Sequence, residues 1–157
     1  MISMLGDHMN DTNLVIADAD ILISLYSADD LNHQIVDDQT QKLVNLAYKI
    51  KFPITAIMEA ITSLKRMSNK PEIAYLINQK YLNEEFNVVY VDEEIGKLAS
   101  EIFGKVNSKK NTVFDAVVLA TAKTLKAAAV FSFDSWYAKQ GIKTVTDLIG
   151  SRARGWI

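Results

Sequence analysis

Four acidic side chains stand beside the predicted strands of this sequence. Asp18 comes directly after the first apolar run, and Asp134 comes directly after the fourth. Glu59 stands early in the helix predicted after the second strand, and Asp115 stands in the first turn of the helix before the fourth strand. In an open parallel α/β sheet, sites form beyond the carboxyl ends of the strands. We therefore expect these four carboxylates to meet at one end of the sheet.

Each acid also has a purely structural explanation. Asp20 suits the N-cap of the helix predicted over ILISLY, Asp115 completes a capping-box pattern, and Asp134 suits a turn. Asp18 ends an apolar strand, where no capping role is expected. Glu59 lies among apolar and small residues in AIMEAI, where a carboxylate is rarely buried without a partner. Taken together, at corresponding ends of successive elements, the acids favour a functional site.

Clustered carboxylates predict a bound cation. Ionised groups within a few ångströms repel one another, so some would be protonated unless a divalent cation neutralised them. The chain contains no cysteine and only two histidines, His8 and His33, which excludes a cysteine-ligated or multi-histidine zinc site. An all-oxygen site selects a hard ion, Mg²⁺ or Mn²⁺. Such an ion binds phosphate oxygens and activates water, which points to a phosphodiester substrate.

Apolar runs and helical periodicities predict the elements that position these acids. Strands alternate with helices, which implies crossover connections and a parallel sheet that is buried on both faces. The prediction is one α/β domain, with a central parallel sheet of four to five strands flanked by helices. The domain spans 13–149, between an N-terminal extension at 1–12 and a short tail at 150–157. Predicted strands are 13–17, 54–55, 87–91, 127–133 and 142–145; predicted helices include 21–26, 33–50, 56–67, 71–85, 93–106 and 112–125.

Length and composition fit one ordinary folded domain. The chain has 157 residues, of which 49% are hydrophobic and 23% charged, and its net charge is −2. No apolar run approaches the roughly 18 residues of a membrane span, and the N-terminus lacks the pattern of a signal peptide. These features predict a cytoplasmic protein without membrane contact. A polyanionic partner would require a local basic patch or a bound cation.

The acids and their neighbours resemble the PIN-domain ribonucleases, in particular the VapC-type toxins of toxin–antitoxin pairs. The resemblance extends over about residues 14–148, most of the chain. It rests on the order and spacing of four segments, which read VIADADILISLY, TAIMEAITSLKR, TVFDAVVLATAKTL and AAVFSFDSWYAKQGIKTV.

The resemblance implies a metal-dependent endoribonuclease that leaves a 5′-phosphate, forms a homodimer and is neutralised by an antitoxin protein. Ser132 fills the family's usual Ser/Thr position and would help to position the substrate. Asp20 stands where the family often has Asn or Ser, so it either assists the metal or only caps a helix. The catalytic residues, which would hold one or two Mg²⁺ or Mn²⁺ ions, are Asp18, Glu59, Asp115 and Asp134.

Basic and aromatic side chains near the acids are candidates for RNA contact. Cationic side chains would bind phosphates, although solvated surface positions explain them equally well. Tyr26, Trp136 and Tyr137 are expected in the core rather than stacked on bases, and His33 is expected at the surface. The cationic candidates are Lys65, Arg66, Lys109, Lys110, Arg152 and Arg154.

Two alternatives from other classes fit parts of the sequence. Asp18-Ala19-Asp20 resembles the opening nucleophile pair of haloacid-dehalogenase-type phosphatases, in which Asp18 would form a phosphoaspartate. Leu22 stands where that family has Thr or Val, and no paired acids follow the fourth strand. The other alternative is a non-catalytic PIN-like binding module, against which the presence of all four acids argues.

Overall fold

The computed structural model describes residues 13–154, with side chains described up to residue 150. The expected extension at 1–12 and the side chains of Arg152 and Arg154 lie outside the described residues. None of the described helices combines the length and apolarity that crossing a bilayer requires. The strands are β1 (Leu14–Ala17), β2 (Lys49–Pro53), β3 (Val88–Val89) and β4 (Ala129–Phe131). The helices are α1 (Ala19–Tyr26), α2 (His33–Asn45), α3 (Ile54–Arg66), α4 (Pro71–Leu82), α5 (Glu93–Phe103), α6 (Val113–Thr124), α7 (Trp136–Lys139) and α8 (Val145–Arg154).

The four strands form one parallel sheet in the order β3-β2-β1-β4. The chain builds outward from β1 through β2 to β3, and then crosses back through α5 and α6 to place β4 on the other side of β1. The direction of winding therefore reverses between β1 and β4, and ligands of such sheets bind at this switch point. The predicted α/β fold class is confirmed. The predicted fifth strand is reduced to a single parallel bridge between Val130 and Thr144.

Strand β1 lies at the centre of the core and is buried on both faces. Val15 and Ala17 pack into one apolar cluster with α1, α3 and β4. Leu14 and Ile16 point the other way and pack against α6 and α7. This alternation follows from the period of two in a strand. Each fully buried aliphatic side chain contributes about 1.5–3 kcal/mol to the free energy of folding. The burial of β1 on both faces therefore stabilises the position of this strand in the sheet.

The second strand begins earlier than the sequence suggests. The helix predicted over 33–50 ends at Asn45, and Ala47 has a φ of 64°, which no continuing helix can accommodate. The strand predicted at 54–55 is instead Lys49–Pro53, and α3 begins directly at Ile54. The apolar residues of this segment fit the spacing of both a helix and a strand, since Leu43 packs into the core from the helix and Phe52 from the strand. Their spacing alone could not locate the boundary.

Candidate active site

The five acids singled out in the sequence line one cavity at the predicted end of the sheet. Its volume is about 380 Å³. Asp18 and Asp20 follow β1, Glu59 lies in the second turn of α3, Asp115 lies in the first turn of α6, and Asp134 follows β4. Ser132 lines the same cavity, between β4 and Asp134. The expected convergence of the acids is therefore present in the fold.

Asp18 is the most deeply buried acid, with 6% of its surface exposed. It is the N-cap of α1, since its backbone is extended and its Oδ1 accepts from the amide of Ala19 at 2.7 Å. Its Oδ2 accepts from the buried Tyr137 hydroxyl at 2.6 Å. Burial, and then the nearby charge of Asp20, raise the pKa of Asp18 to about 8. The expectation that Asp18 has no capping role was wrong, because the strand passes into α1 without a turn.

Asp20 joins α1 to the segment after β4 instead of capping α1. Its Oδ2 accepts from the Ser132 hydroxyl at 3.1 Å and from the Phe133 amide at 2.8 Å. The Ser132 hydroxyl in turn accepts from the amide of Asp134 at 3.1 Å. Burial raises the pKa of Asp20. Ser132 thus holds two acids in place from one hydroxyl group.

Asn111 is a buried amide between two of the acids, and sequence reasoning missed it. Its Nδ2 donates to Asp134 Oδ2 at 2.9 Å and to Asp115 Oδ2 at 3.3 Å. Asp115 Oδ2 also accepts from the amide of Thr112 at 2.8 Å, so the predicted capping box is present. Burial raises the pKa of Asp115 despite these donors. Capping and site formation are therefore compatible roles of one carboxylate.

Glu59 lines the cavity from α3, and its carboxylate is not fully hydrogen-bonded. Its Oε2 and the Oδ1 of Asp20 are buried without a hydrogen-bond partner. Burial, and then the charges of Asp115 and Asp20, raise the pKa of Glu59 to about 7. None of the ion pairs formed by the described residues includes any of the five acids. Buried carboxylates without a counter-charge are costly, so this site calls for protons or a cation.

The donor set fits a hard divalent cation. It consists of oxygen atoms only, its carboxylates repel one another, and two of its buried oxygens are unpartnered. Within the described residues, no group of three acidic or histidine side chains is arranged to hold a metal ion as it stands. Side chains of the acidic cavity would therefore have to adjust to make a full coordination shell.

Of the basic and aromatic residues singled out in the sequence, some line the acidic cavity and others lie away from it. Lys110 lines the cavity, whereas Lys65, Arg66 and Lys109 do not. Lys65 lies at the end of α3, with its Nζ over the Tyr75 ring. His33 is tied by its Nδ1 to the carbonyl of Ser24 at 2.8 Å, away from the acids. As expected of core residues, Trp136 and Tyr137 are buried, and Tyr26 is half-buried against Phe86.

We expect Tyr137→Phe to lower the free energy of unfolding by about 1–3 kcal/mol, because it leaves Asp18 Oδ2 buried without a donor. Urea denaturation in EDTA measures the change. Tyr75→Phe is the control, since that ring is 56% exposed and keeps its contact with Lys65. It should stay within about 0.5 kcal/mol of the wild type. Equal effects of the two substitutions would contradict the role assigned to the Tyr137 hydroxyl.

Comparisons with known proteins agree with this fold. The family model of the PIN domain matches residues 15–142. The fold is similar to that of VapC20, a sarcin–ricin-loop-cleaving toxin of Mycobacterium tuberculosis, with 16% identity and a TM-score of 0.69, over 82% of this chain and 95% of that chain. It is also similar to FitAcB of Neisseria gonorrhoeae, with 13% identity and a TM-score of 0.60, over 83% of this chain and 95% of that chain. No curated protein sequence matches the chain.

The fold and the site together define an α/β protein that has an acidic centre at the switch point of a four-stranded parallel sheet. The chain belongs to the PIN-domain family. The phosphatase alternative loses its basis, because the family model that matches residues 15–142 is that of the PIN domain.

Proposed function

We propose that this protein is a metal-dependent endoribonuclease that hydrolyses RNA phosphodiester bonds, and that it is the toxin of a toxin–antitoxin pair. The observation that carries the proposal is the cluster of five acids. None of them forms an ion pair among the described residues, and two of their buried carboxylate oxygens have no hydrogen-bond partner. RNA is the proposed substrate because a similar fold belongs to a toxin that cleaves the sarcin–ricin loop.

The proposed metal ligands are the acids of this cavity. Asp18, Glu59, Asp115 and Asp134 would hold one or two ions, and Asp20 would assist through its unpartnered Oδ1. Bound Mg²⁺ or Mn²⁺ would neutralise the carboxylates, activate the attacking water and offset the charge that develops on the phosphate.

The remaining polar residues of the site position the acids or the substrate. Tyr137 and the Ala19 amide fix the orientation of Asp18, and Ser132 fixes Asp20. Asn111 keeps Asp115 and Asp134 at a constant separation. Lys110, which lines the cavity, would contact a phosphate next to the scissile one. Such preorganisation is the usual way in which a protein lowers the barrier of phosphoryl transfer.

The proposal extends to the partners implied by the resemblance. The protein would act in the cytoplasm as a homodimer and would be neutralised by an antitoxin protein. Size-exclusion chromatography of the purified chain tests the homodimer, and co-expression with the product of the adjacent gene tests the antitoxin. A stable complex that suppresses RNA cleavage supports the toxin assignment.

The direct test is cleavage of mixed cellular RNA by the purified chain, with Mn²⁺ or with EDTA. We expect cleavage only with the metal, and its loss in Asp18→Asn. The matched control is Asp92→Asn. Asp92 is also a helix N-cap, which accepts from the Ile95 amide at 2.9 Å, but it directly precedes α5 and lies outside the acidic cavity. Cleavage by Asp18→Asn at the wild-type rate would contradict the proposal.

The alternatives predict other outcomes of the same experiment. A non-catalytic PIN-like module would bind a partner protein without metal binding or RNA cleavage. A haloacid-dehalogenase-type phosphatase would be trapped by a phosphoryl analogue such as beryllium fluoride and would leave RNA intact.

A further inference from the structure

Thr55, the second residue of α3, has a buried hydroxyl group that finds no hydrogen-bond partner among the described residues. A threonine inside a helix can satisfy its hydroxyl by donating to the carbonyl four residues earlier. Thr62 and Thr121 donate in this way, at 2.8 and 2.7 Å. The residue four before Thr55 is Lys51, which belongs to β2 and offers no helical carbonyl. The Thr55 hydroxyl is therefore available to a side chain.

Glu59 is the acid of the cavity that lacks support from a hydrogen-bond donor. Its buried Oε2 has no partner among the described residues. Carboxylates that bind a metal ion are normally held in turn by hydrogen bonds, which fix their orientation. The other acids have such donors. The acids that accept hydrogen bonds are Asp18, Asp20, Asp115 and Asp134.

Thr55 and Glu59 are neighbours on the surface of α3, one turn apart. Residues four apart in a helix have their Cβ atoms about 5–6 Å from each other, a distance that a hydroxyl and a carboxylate can bridge. Helical side chains lean toward the N-terminus, so Glu59 covers the turn of Thr55 and not that of Ser63. Thr55 does not line the acidic cavity, so it would contact Glu59 and not the cation. A change of side-chain torsion angles is enough to join the two groups.

We propose that Thr55 is a positioning residue of the metal site, and that its hydroxyl donates to Glu59 while Glu59 binds the cation. The inference rests on the proposed metal dependence of the nuclease. The bond holds the Glu59 side chain in the conformation that directs its other oxygen into the cavity. It satisfies two buried atoms that otherwise have no partner among the described residues. Because the acceptor is ionised, the bond is stronger than one between neutral groups.

The test compares Thr55→Val, which removes the hydroxyl but keeps the shape of the side chain, with Thr55→Ser, which keeps the hydroxyl. Mn²⁺ binding is measured at pH 8 by electron paramagnetic resonance, which detects the free ion. Thr55→Val should weaken binding about tenfold, and Thr55→Ser should stay within about twofold of the wild type. RNA cleavage by Thr55→Val should need correspondingly more Mn²⁺ and should recover at saturation. Its thermal midpoint in EDTA should not fall, because the hydroxyl has no partner to lose.

Ser27→Ala is the matched control. The Ser27 hydroxyl is also buried without a partner among the described residues, but it lies directly after α1 and outside the acidic cavity. This variant should keep the wild-type affinity for Mn²⁺.

Three results would overturn the role of Thr55 while the nuclease proposal stands. The first is a Thr55→Val variant that binds Mn²⁺ as tightly as the wild type. The second is an equal loss of affinity in Thr55→Ser, which would mean that packing and not the hydroxyl matters. The third is a lower midpoint of Thr55→Val in EDTA, which would mean that the hydroxyl has a partner without the metal. A wild type that binds no Mn²⁺ overturns both this inference and the proposed metal dependence.

Discussion

Asp115→Asn is expected to reduce RNA cleavage at least about a hundredfold, which is the scale of losing one charge-stabilising group at an active site. The substitution keeps the size of the side chain but removes the charge of one proposed metal ligand. Folding should be preserved, because the asparagine oxygen can still accept from the amide of Thr112 in the capping box. Cleavage rates with saturating Mn²⁺ and the thermal midpoint in EDTA measure the two effects separately.

Asp147→Asn is the matched control for this substitution. Asp147 also stands three residues after a capping threonine, and its Oδ2 accepts from the amide and the hydroxyl of Thr144 at 3.4 and 3.0 Å. It lies at the start of α8, outside the acidic cavity, so its replacement should leave cleavage unchanged. If the two variants lose activity equally, Asp115 acts through helix capping alone. If Asp115→Asn cleaves normally, its assignment as a metal ligand is wrong.

Mn²⁺ is expected to raise the thermal midpoint more at pH 8 than at pH 5, by about 5 °C or more. The pKa of Asp18 is raised from 3.8 to about 8, and that of Glu59 from 4.5 to about 7, with burial as the main cause of both. The folded state therefore binds more protons than the unfolded state between about pH 4 and pH 8. Without metal, stability falls as the pH rises through this window, and it is greatest below the unfolded pKa values.

The cation takes the place of these protons. At pH 8 the carboxylates are mostly ionised and repel one another, so a bound cation relieves more repulsion than at pH 5, where protons compete for the same oxygens. Differential scanning fluorimetry at both pH values, with Mn²⁺ or EDTA, measures the difference. Glu59→Gln should reduce it, whereas Glu101→Gln, at an exposed position on α5, should not. A shift by Mn²⁺ that is independent of pH would contradict the coupling of proton and metal binding in this cavity.

The positions of the acids could be predicted from the sequence because each has a local signal. Asp18 and Asp134 directly follow buried apolar strands, and the carboxyl ends of parallel strands share one edge. Glu59 stands out as a lone charge within the apolar and small residues of AIMEAI, and Asp115 is fixed in a first turn by its capping box. Local patterns of this kind also gave the fold class and the order of the elements.

The supporting residues could not be predicted, because their contacts join distant parts of the chain. Asn111 lies in a polar loop and reaches Asp134, 23 residues away, while Asp20 reaches Ser132, 112 residues away. Tyr137 reads as a core residue, and nothing in the sequence says that its hydroxyl meets Asp18. The one signal available for Asn111 was its place four residues before Asp115. The sequence alone does not distinguish such a position from one in a solvent-exposed loop.

The central claim is that these carboxylates hydrolyse RNA with a water molecule as the nucleophile, and the chemistry of the product ends tests it most directly. RNA cleaved in the presence of Mn²⁺ is labelled at its 5′ ends before and after phosphatase treatment, and the 3′ ends are analysed by mass. Attack by water in this site predicts 5′-phosphate and 3′-hydroxyl ends. Products with 5′-hydroxyl and 2′,3′-cyclic phosphate ends would mean attack by the ribose hydroxyl, and would contradict the role given to the acidic centre.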